Sequence, residues 1–268
     1  MNDNIYKALT VGTRNFVHKN GFHKVVFGLS GGIDSSVTAI IAVDALGNNN
    51  VLGVIMPSPY TQKTSINDAR KIAKNLGIKT LYLPIKSIMK IYNKTLAKTF
   101  SSYPEDVTEE NLQARIRCTL LMALSNKFQM MLLATGNKSE LATGYCTLYG
   151  DLAGALAPIG DLLKTQVYSL ARWLNKEKND IIPLSTLEKE PSAELKTGQK
   201  DSDILPPYEI LDEILEKYLR WGKTVDAISK EGFDRETVMK VIEMVKRSAF
   251  KRKQAPPSLK VSDWPLEK

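Results

Sequence analysis

The residues best suited to chemistry lie in one glycine-rich stretch, Ser30-Gly31-Gly32-Ile33-Asp34-Ser35. An apolar run at 25–27 precedes it, and a second apolar run, of helical character, begins at Val37. A glycine turn between a strand and a helix is a common phosphate site of α/β proteins, because the backbone can approach the ligand and the helix N-terminus offers unpaired N–H groups. We therefore predict a phosphate-binding loop whose backbone amide groups at 30–36 face one concavity.

This loop follows neither of the two most familiar phosphate-binding patterns. The dinucleotide fingerprint Gly-x-Gly-x-x-Gly needs a spacing that Gly28, Gly31 and Gly32 do not have. A Walker loop ends in Gly-Lys-Ser/Thr, and the sequence contains no lysine between Lys24 and Lys63. The plain alternative is a tight turn with an acid near the helix start, which the helix dipole favours by about 0.3–1 kcal/mol. A helix cap does not need two glycines and two flanking hydroxyl groups, so phosphate binding is the preferred interpretation.

A second polar turn, Thr135–Glu140, follows the apolar run at 130–134. Ligands of open parallel sheets bind beyond the carboxyl ends of the strands, so this turn is predicted to lie beside the glycine loop. Asp34 and Glu140 are then candidate ligands of one Mg²⁺, because this ion is held by one or two carboxylates together with substrate phosphates. For Glu140 alone, a solvated acid at a helix start is an equally good interpretation.

The elements that must position these residues can be read from the hydrophobic periodicity. Short apolar runs at 25–27, 51–56, 80–83 and 130–134 alternate with amphipathic helical stretches. This alternation predicts an α/β fold with a doubly wound, mostly parallel sheet, helices on both faces and right-handed crossovers. From Tyr208 onward only helical periodicity remains, so the C-terminal part is predicted to be helical.

Two helices of this scheme have predicted N-terminal caps. Thr64 or Ser65 is expected to cap a helix over 65–76, and Thr108 is expected to cap a long helix over 109–126. The apolar face of the long helix is broader than one core contact requires. This helix therefore lies either in the centre of the core or between its own domain and a partner chain.

Composition indicates an ordinary globular protein, with 43% hydrophobic and 25% charged residues. The net charge of +8 suits an anionic ligand but is spread along the chain, so nucleic acid is not an expected partner. Apolar runs are too short for a membrane span, no signal peptide is recognised, and Cys118 and Cys146 form no disulfide framework, so we expect a cytoplasmic location. We expect one domain over 1–268, in which the aperiodic segment 186–206 is a mobile lid or a linker.

The glycine loop resembles the pyrophosphate-binding loop of the N-type ATP pyrophosphatases, whose pattern is Ser-Gly-Gly-x-Asp-Ser. Over most of its length the chain resembles one family of that group more closely, the NAD synthetases, which have an adenine nucleotide alpha-hydrolase-like fold. The loop is moderately specific for the family, whereas the stretches 134–140 and 164–168 together are far more specific. The stretches that carry the resemblance are Gly28–Ser35, Glu110–Arg117, Ala134–Glu140, Gly150-Asp151, Pro158–Asp161, Lys164–Tyr168, Pro191–Leu195 and Lys251-Arg252.

The resemblance implies a ligase that uses ATP and Mg²⁺ to join ammonia to the nicotinate carboxylate of deamido-NAD, through an adenylated intermediate, with release of AMP and pyrophosphate. By resemblance Asp34 and Lys164 are catalytic, Asp34 and Glu140 hold Mg²⁺, and Arg115 and Lys251 bind deamido-NAD. The residues that the resemblance assigns to ATP are Gly28, Leu29, Ser30, Gly31, Gly32, Ile33, Asp34, Ser35, Thr135, Lys164 and Ser192.

The family resemblance further implies a homodimer with the dinucleotide at the subunit interface, and a flexible segment at 186–206 that orders over the site. Two deamido-NAD contacts of the short, ammonia-using members are replaced here, because Leu148 stands where they have Lys and Ala155 where they have Asp. Thr147–Asp151 instead resembles the synthetase half of the glutamine-dependent enzymes. We expect free ammonia as the nitrogen donor, with a separate glutaminase chain as the alternative.

Two other classes of function remain open. Another ATP pyrophosphatase, GMP-synthetase-like or tRNA-modifying, would share the loop but use a different acceptor, although a thiolating enzyme usually needs paired cysteines. A non-catalytic module that senses ATP would also share the loop, but it would not need two separated carboxylates and a basic acceptor site. Turnover separates the enzymes from the sensor, and the acceptor separates the enzymes from one another.

Overall fold

A parallel sheet of four strands lies at the centre of residues 2–266, the part of the chain that this computed structural model describes. The strands are β1 (Val25–Gly28), β2 (Val51–Ile55), β3 (Lys79–Tyr82) and β4 (Met131–Leu132). Their order across the sheet is β3-β2-β1-β4, and Val25 of β1 pairs with Val51 on one side and Met131 on the other. All three strand pairs are parallel, so the predicted parallel sheet is confirmed.

The strand order creates a switch point beside β1. The chain builds the sheet outward from β1 to β3 and then crosses back to add β4 on the other side of β1. A crevice therefore opens between the carboxyl ends of β1 and β4, which is where open α/β sheets bind their ligands. β4 is shorter than the predicted 130–134. Beyond Leu132, the backbone of Leu133 forms an isolated parallel β-bridge with Leu156.

Helices account for most of the remaining structure. The helices that surround the sheet are α1 (Asn2–Lys19), α2 (Ile33–Leu46), α3 (Lys63–Leu76), α4 (Lys86–Leu96), α5 (Val107–Phe128), α6 (Lys138–Thr143), α7 (Lys164–Glu177) and α8 (Leu184–Glu188). The helices of the C-terminal part are α9 (Tyr208–Leu215), α10 (Val225–Ser229), α11 (Arg235–Arg247) and α12 (Ala249–Arg252).

Both faces of the sheet are covered by helices, as a doubly wound fold requires. Successive strand residues point to opposite faces. Val25 and Phe27 of β1 belong to the larger core cluster, which includes residues of α1, α2, α3 and α7. Val26 lies in a separate cluster on the other face, with Ile116 of α5 and partly buried residues of α4 packed against it.

The predicted helical C-terminal part is also confirmed. Leu211 of α9 and Val238 and Val241 of α11 are fully buried in a third cluster. Ala142 of α6 and Leu163 join this cluster, so the C-terminal helices pack directly against the elements that follow β4.

Both predicted helix caps are wrong. α3 begins at Lys63 after Gln62, which makes no side-chain cap bond, and the Glu194 carboxylate instead accepts from the backbone amide of Gln62 and from the hydroxyl of Ser65. α5 begins at Val107, because Asp106 accepts a hydrogen bond from the amide of Thr108 and forms a capping box with Glu109. Asp is at least as good a cap as Thr, and here the acid three residues later completes the motif.

The exposure of α5 bears on the two interpretations of its apolar face. Only Gln113, Ala114 and Ile116 of its residues are buried within the described chain, while Met122 and Phe128 are exposed. α5 is therefore not a central core helix in the single chain. No helix among residues 2–266 has the length and apolar character needed to cross a membrane.

Candidate active site

The glycine loop connects β1 to α2 at the predicted crevice. Gly31 has a positive φ of +83°, and a Cβ atom placed on it would lie 2.1 Å from the carbonyl oxygen of Ser65 in α3. Only glycine fits at this position. The hydroxyl groups of Ser30 and Ser35 lie 3.1 Å apart, and the amide of Gly32 donates to Ser30 Oγ over 3.2 Å, so the loop is closed by its own side chains.

Asp34 stands in the first turn of α2, where its carboxylate meets groups from two other elements. Its Oδ1 accepts a 2.9 Å hydrogen bond from the side-chain amide of Asn137, which caps α6. Its Oδ2 lies 2.6 Å from the ammonium of Lys164, the first residue of α7. Asp34 therefore joins the glycine loop to the second polar turn, as the sheet topology predicts.

Glu140 is an acid at a helix start, but it is not solvated as the plain interpretation expected, because its side chain is only 19% exposed. Its Oε2 accepts from the amide of Asn137 in a capping box, and its Oε1 lies 3.2 Å from the Lys164 ammonium. Burial raises the pKa of the Glu140 carboxyl to about 8; Lys164 opposes this shift, whereas the charges of Asp34 and Asp201 add to it. Glu140 is thus both a structural helix-start acid and a member of the charged site.

Lys164 is the centre of this charged group and is only 3% exposed. Burial alone would favour loss of its proton, but the carboxylates of Asp34 and Glu140 outweigh burial and raise the pKa of Lys164. The ammonium is therefore held in its charged form.

The donor set suits Mg²⁺ bound together with phosphate. Residues 2–266 contain no cluster of three or more His, Cys, Asp or Glu side chains that could hold a metal without other ligands. Mg²⁺ is usually held by one or two carboxylates while substrate phosphates and water supply the other oxygens. Asp34 and Glu140 fit that requirement, because both carboxylates reach the same point in the crevice, at Lys164 Nζ.

A cavity of about 320 Å³ opens at this end of the sheet. Glu140 and Lys164 line it, and its apolar wall includes Val54, Met56 and Leu132. The other lining residues that the sequence predicts for ATP or metal are Gly28, Leu29, Ser30, Gly32, Ile33, Asp34, Ser35, Thr135 and Ser192. A largely apolar cavity with a few convergent polar and charged groups at one end has the lining of a small-molecule site.

Arg115 and Lys251 are placed differently from the predicted ATP residues. Neither belongs to the residues that line this cavity. Arg115 Nε donates to the carbonyl of Leu148, and Lys251 Nζ donates to the carbonyls of Gly144 and Cys146, over distances of 2.7–3.2 Å. Both cations hold the irregular segment that follows α6, so their role toward deamido-NAD stays a prediction.

The sequence prediction missed Arg117, which lines the cavity where Arg115 does not. Its Nε donates to the carbonyl of Met56 at the end of β2, and burial lowers the pKa of Arg117 to about 10. Residues two positions apart lie on different faces of a helix. The spacing could have shown that only one of the two arginines faces the site, although not which one.

The segment 186–206, here called the cover segment, lies along the cavity and was predicted to be a lid. Thr186, Ser192 and Asp201 line the cavity. The buried carboxylate of Asp201 accepts a 2.8 Å hydrogen bond from the hydroxyl of Tyr208. Glu194, another cavity residue that the prediction missed, accepts from Ser65 Oγ at the start of α3 over 2.6 Å. The mobility of the cover segment stays a prediction.

The fold and the site define an α/β protein with a glycine loop and a buried charged cluster at the switch point of its parallel sheet. The chain belongs to the NAD synthase family, whose profile matches residues 5–255. It is 54% identical over 261 residues to the glutamine-dependent NAD(+) synthetase of Synechocystis sp.. This alignment covers 97% of this chain and 47% of the relative. This chain therefore spans about half the length of the curated relatives it matches. NAD synthetases are ligases that form a carbon–nitrogen bond.

Two solved structures match almost end to end. The NMN synthetase from Francisella tularensis superposes with a TM-score of 0.81 at 29% identity, covering 96% of this chain and 98% of the other. The NH3-dependent NAD synthetase from Campylobacter jejuni superposes with a TM-score of 0.74 at 28% identity, with the same coverage of 96% and 98%. The adenine nucleotide alpha-hydrolase-like fold expected from the sequence is thereby confirmed.

Proposed function

We propose that this chain catalyses the ATP-dependent amidation of deamido-NAD to NAD, through an adenylated intermediate, with ammonia as the attacking nitrogen species. One observation carries the proposal: in a chain of the NAD synthase family, Lys164 joins Asp34 and Glu140 beside a glycine loop in a cavity suited to a nucleotide. This family membership also favours amide formation over a GMP-synthetase-like or tRNA-modifying reaction.

The chemistry explains why a phosphate loop and an ammonium are needed. A carboxylate is anionic and its oxide is a poor leaving group, so its attack on the α-phosphorus of ATP forms an acyl-adenylate and expels pyrophosphate. The backbone amides at 30–36 would bind the departing pyrophosphate, and Lys164 would stabilise the charge that develops there. Ammonia then attacks the acyl carbon and displaces AMP. No covalent enzyme nucleophile is required.

Asp34 and Glu140 would hold Mg²⁺ with the phosphates, and the bound ion would offset phosphate charge and orient the leaving group. Thr135 and Ser192, which line the cavity, are proposed ATP contacts. Lys164 would then exchange part of its contact with the two carboxylates for contact with a phosphate oxygen. Its full positive charge in the free site supports that role.

Arg115 and Lys251 are proposed to bind deamido-NAD outside the ATP cavity. Both residues already hold backbone carbonyls of the segment that contains Leu148. Neighbouring residues of that segment, Tyr145 and Thr147, line the cavity, so we propose that an anionic dinucleotide extends beyond the adenylate toward these two cations. Leu148 and Ala155 offer no charge to the dinucleotide, so its contacts must differ from those of members with Lys and Asp there.

We propose a homodimer formed through α4 and α5. These helices carry exposed apolar side chains, which include Ile91 and Tyr92 of α4 and Met122 and Phe128 of α5. Exposed apolar side chains of this kind are typical of protein interfaces. Small-angle scattering of the purified chain would test the dimer directly.

We further propose that 1–268 acts as one cytoplasmic catalytic domain, over which the cover segment closes when nucleotide binds.

A second candidate acceptor is the deamido form of NMN. The end-to-end match to an NMN synthetase supports it, because that structure covers 96% of this chain. The chemistry at the carboxylate would be the same, and only the remainder of the acceptor would differ. Acceptor preference therefore has to be measured rather than taken from the family.

The test is an end-point assay of the purified chain with ATP and Mg²⁺. Deamido-NAD and deamido-NMN are compared as acceptors, ammonium and glutamine as nitrogen donors, and Asp34→Ala is the inactive control. NAD formed from deamido-NAD with ammonium alone supports the proposal, and a preference for deamido-NMN supports the second candidate. Pyrophosphate release without either amide would refute both acceptors while retaining the ATP chemistry. Amide formed only from glutamine would refute direct use of ammonia.

A further inference from the structure

Asp212 of α9 is a buried carboxylate that binds the start of two other helices. It is 3% exposed. Its Oδ2 accepts hydrogen bonds from the backbone amide and the hydroxyl group of Thr165, both over 2.8 Å, and its Oδ1 accepts from Ser139 Oγ over 2.5 Å. Thr165 is the second residue of α7 and Ser139 is the second residue of α6, so α6, α7 and α9 meet at this carboxylate.

The sequence at the start of α7 supplies only part of what a helix start needs, because the Gln166 side chain accepts a 2.9 Å hydrogen bond from the amide of Leu163. Leu163 stands at the N-cap and makes no side-chain cap bond, and the first turn contains no acidic residue. The first residue is Lys164, whose positive charge is unfavourable at a helix N-terminus. Asp212 corrects both defects, because it accepts from an otherwise unpaired amide and places a negative charge there.

Ser139 extends this connection to the two charged residues of the site. Its hydroxyl donates to Asp212 and accepts a 2.9 Å hydrogen bond from the backbone amide of Lys164. Ser139 also precedes Glu140 directly in α6. One carboxylate thus fixes the backbone on both sides of the Lys164–Glu140 ion pair, without touching the cavity that would receive ATP.

We propose that Asp212 is a positioning residue, which sets the place of the Lys164 ammonium and the Glu140 carboxylate by holding α6 and α7 in register. The effect of Asp212 on catalysis rests on the function proposed above. The effect of losing it is expected on the chemical step, since a displacement of about 1 Å in a catalytic group can reduce the rate about 100-fold. ATP binding should change less, because the hydrogen bonds of Asp212 described above go to α6 and α7 and not to the loop at 30–35.

The first variant is Asp212→Asn, which keeps the shape but removes the charge that strengthens these hydrogen bonds. We expect kcat to fall about 10- to 100-fold, with KM for ATP changed less than threefold. The matched control is Glu213→Gln on the same helix, because Glu213 is exposed. It should leave kcat within twofold. Equal kcat values in the two variants would overturn the proposal.

A double variant separates positioning from a general loss of structure. In a Lys164→Ala background, Asp212→Asn should lower the residual rate by a clearly smaller factor than in the natural background, because one of the two groups that Asp212 positions has been removed. A further fall as large as in the natural background would overturn the proposal. If Asp212→Asn does not fold, Ser139→Ala replaces it in both comparisons; it removes only one hydroxyl bridge and should lower kcat about three- to tenfold.

Hydrogen exchange gives a readout that does not depend on the reaction. The peptide 162–168 should exchange about 5- to 10-fold faster in Asp212→Asn than in Glu213→Gln, because the amide of Thr165 loses its charged acceptor. Unchanged exchange would overturn the proposal. If the natural chain forms no amide, the proposed function fails, and the exchange result alone supports or overturns the positioning role.

Discussion

Replacement of Gly31 by alanine is the most direct test of the phosphate loop. Gly31 has a φ of +83°, and its new methyl group would lie 2.1 Å from the carbonyl oxygen of Ser65. Neither feature can relax without moving the backbone, because the obstructing atom belongs to the first turns of α3. The loop must therefore shift away from α3, and the amide groups after it lose their alignment.

The expected destabilisation has two parts. A positive φ in a residue other than glycine costs about 1–2 kcal/mol, and overpacking against a backbone atom costs about 1–3 kcal/mol more. The free energy of unfolding should therefore fall by about 2–5 kcal/mol. For a chain of this size that change corresponds to a Tm about 5–15 °C lower.

Two other glycines allow the two parts to be measured separately. Gly47 has the same φ of +83° with a ψ of 147°, a backbone region that glycine almost alone adopts, but no atom lies within 4 Å of its Cβ position, so Gly47→Ala should cost about 1–3 kcal/mol from backbone strain alone. Gly32 has a φ of −82°, and its Cβ would lie 3.3 Å from the movable hydroxyl of Ser30, so Gly32→Ala should cost about 1 kcal/mol or less.

The assay is urea unfolding of the three variants, together with the affinity of each for ATP and Mg²⁺ by calorimetry. Gly31→Ala should be the least stable and should bind ATP at least tenfold more weakly, whereas Gly47→Ala, at the opposite end of α2, should bind normally. Equal destabilisation of Gly31→Ala and Gly47→Ala would refute the packing argument. Unchanged ATP binding by Gly31→Ala would refute the assignment of the phosphate loop.

Three further predictions concern charged residues. Asp34→Ala should abolish pyrophosphate release while circular dichroism shows an intact fold; near-normal turnover would remove Asp34 from the metal site. Arg115→Ala should raise KM for deamido-NAD more than KM for ATP, and equal increases would argue against an acceptor contact. Lys138 and Asp161 form an ion pair in which both side chains are 1% exposed. Lys138→Met should therefore cost about 3–5 kcal/mol in an unfolding experiment, and adding Asp161→Asn should recover only part of that loss, because it removes the unpaired charge but weakens the hydrogen bonds that Asp161 accepts from Val261 and Ser262.

The features that the sequence predicts well are those set by local pattern. The loop at 30–35 could be located because glycines, hydroxyl groups and an acid are concentrated between a buried strand and a helix. The proximity of Asp34 and Glu140 followed from topology, since the ends of neighbouring parallel strands share one edge of the sheet. Neither inference required knowledge of a distant contact.

The features that could not be predicted depend on residues far apart in the chain. The start of α3 is capped by Glu194, which lies 129 positions beyond its partner Ser65, so no local pattern could reveal it. Thr165 and Asp212 are 47 positions apart. Arg117 was passed over for a different reason, because its side chain could be assigned to the cavity only once the rotation of α5 about its axis was known.

The distribution of site residues over these elements separates two tasks. Asp34, Glu140 and Lys164 stand on α2, α6 and α7, which pack on the sheet or on the C-terminal helices. Ser192 and Asp201 belong to the cover segment, which is joined to the rest by side-chain hydrogen bonds such as Ser65 to Glu194 and by the buried side chain of Leu205. Opening the cover segment would break such contacts, whereas Asp34 and Glu140, the ion-pair partners of Lys164, lie outside it. Under the proposed function, the groups that bind phosphate would therefore stay in place while the cover segment admits a nucleotide and closes over it.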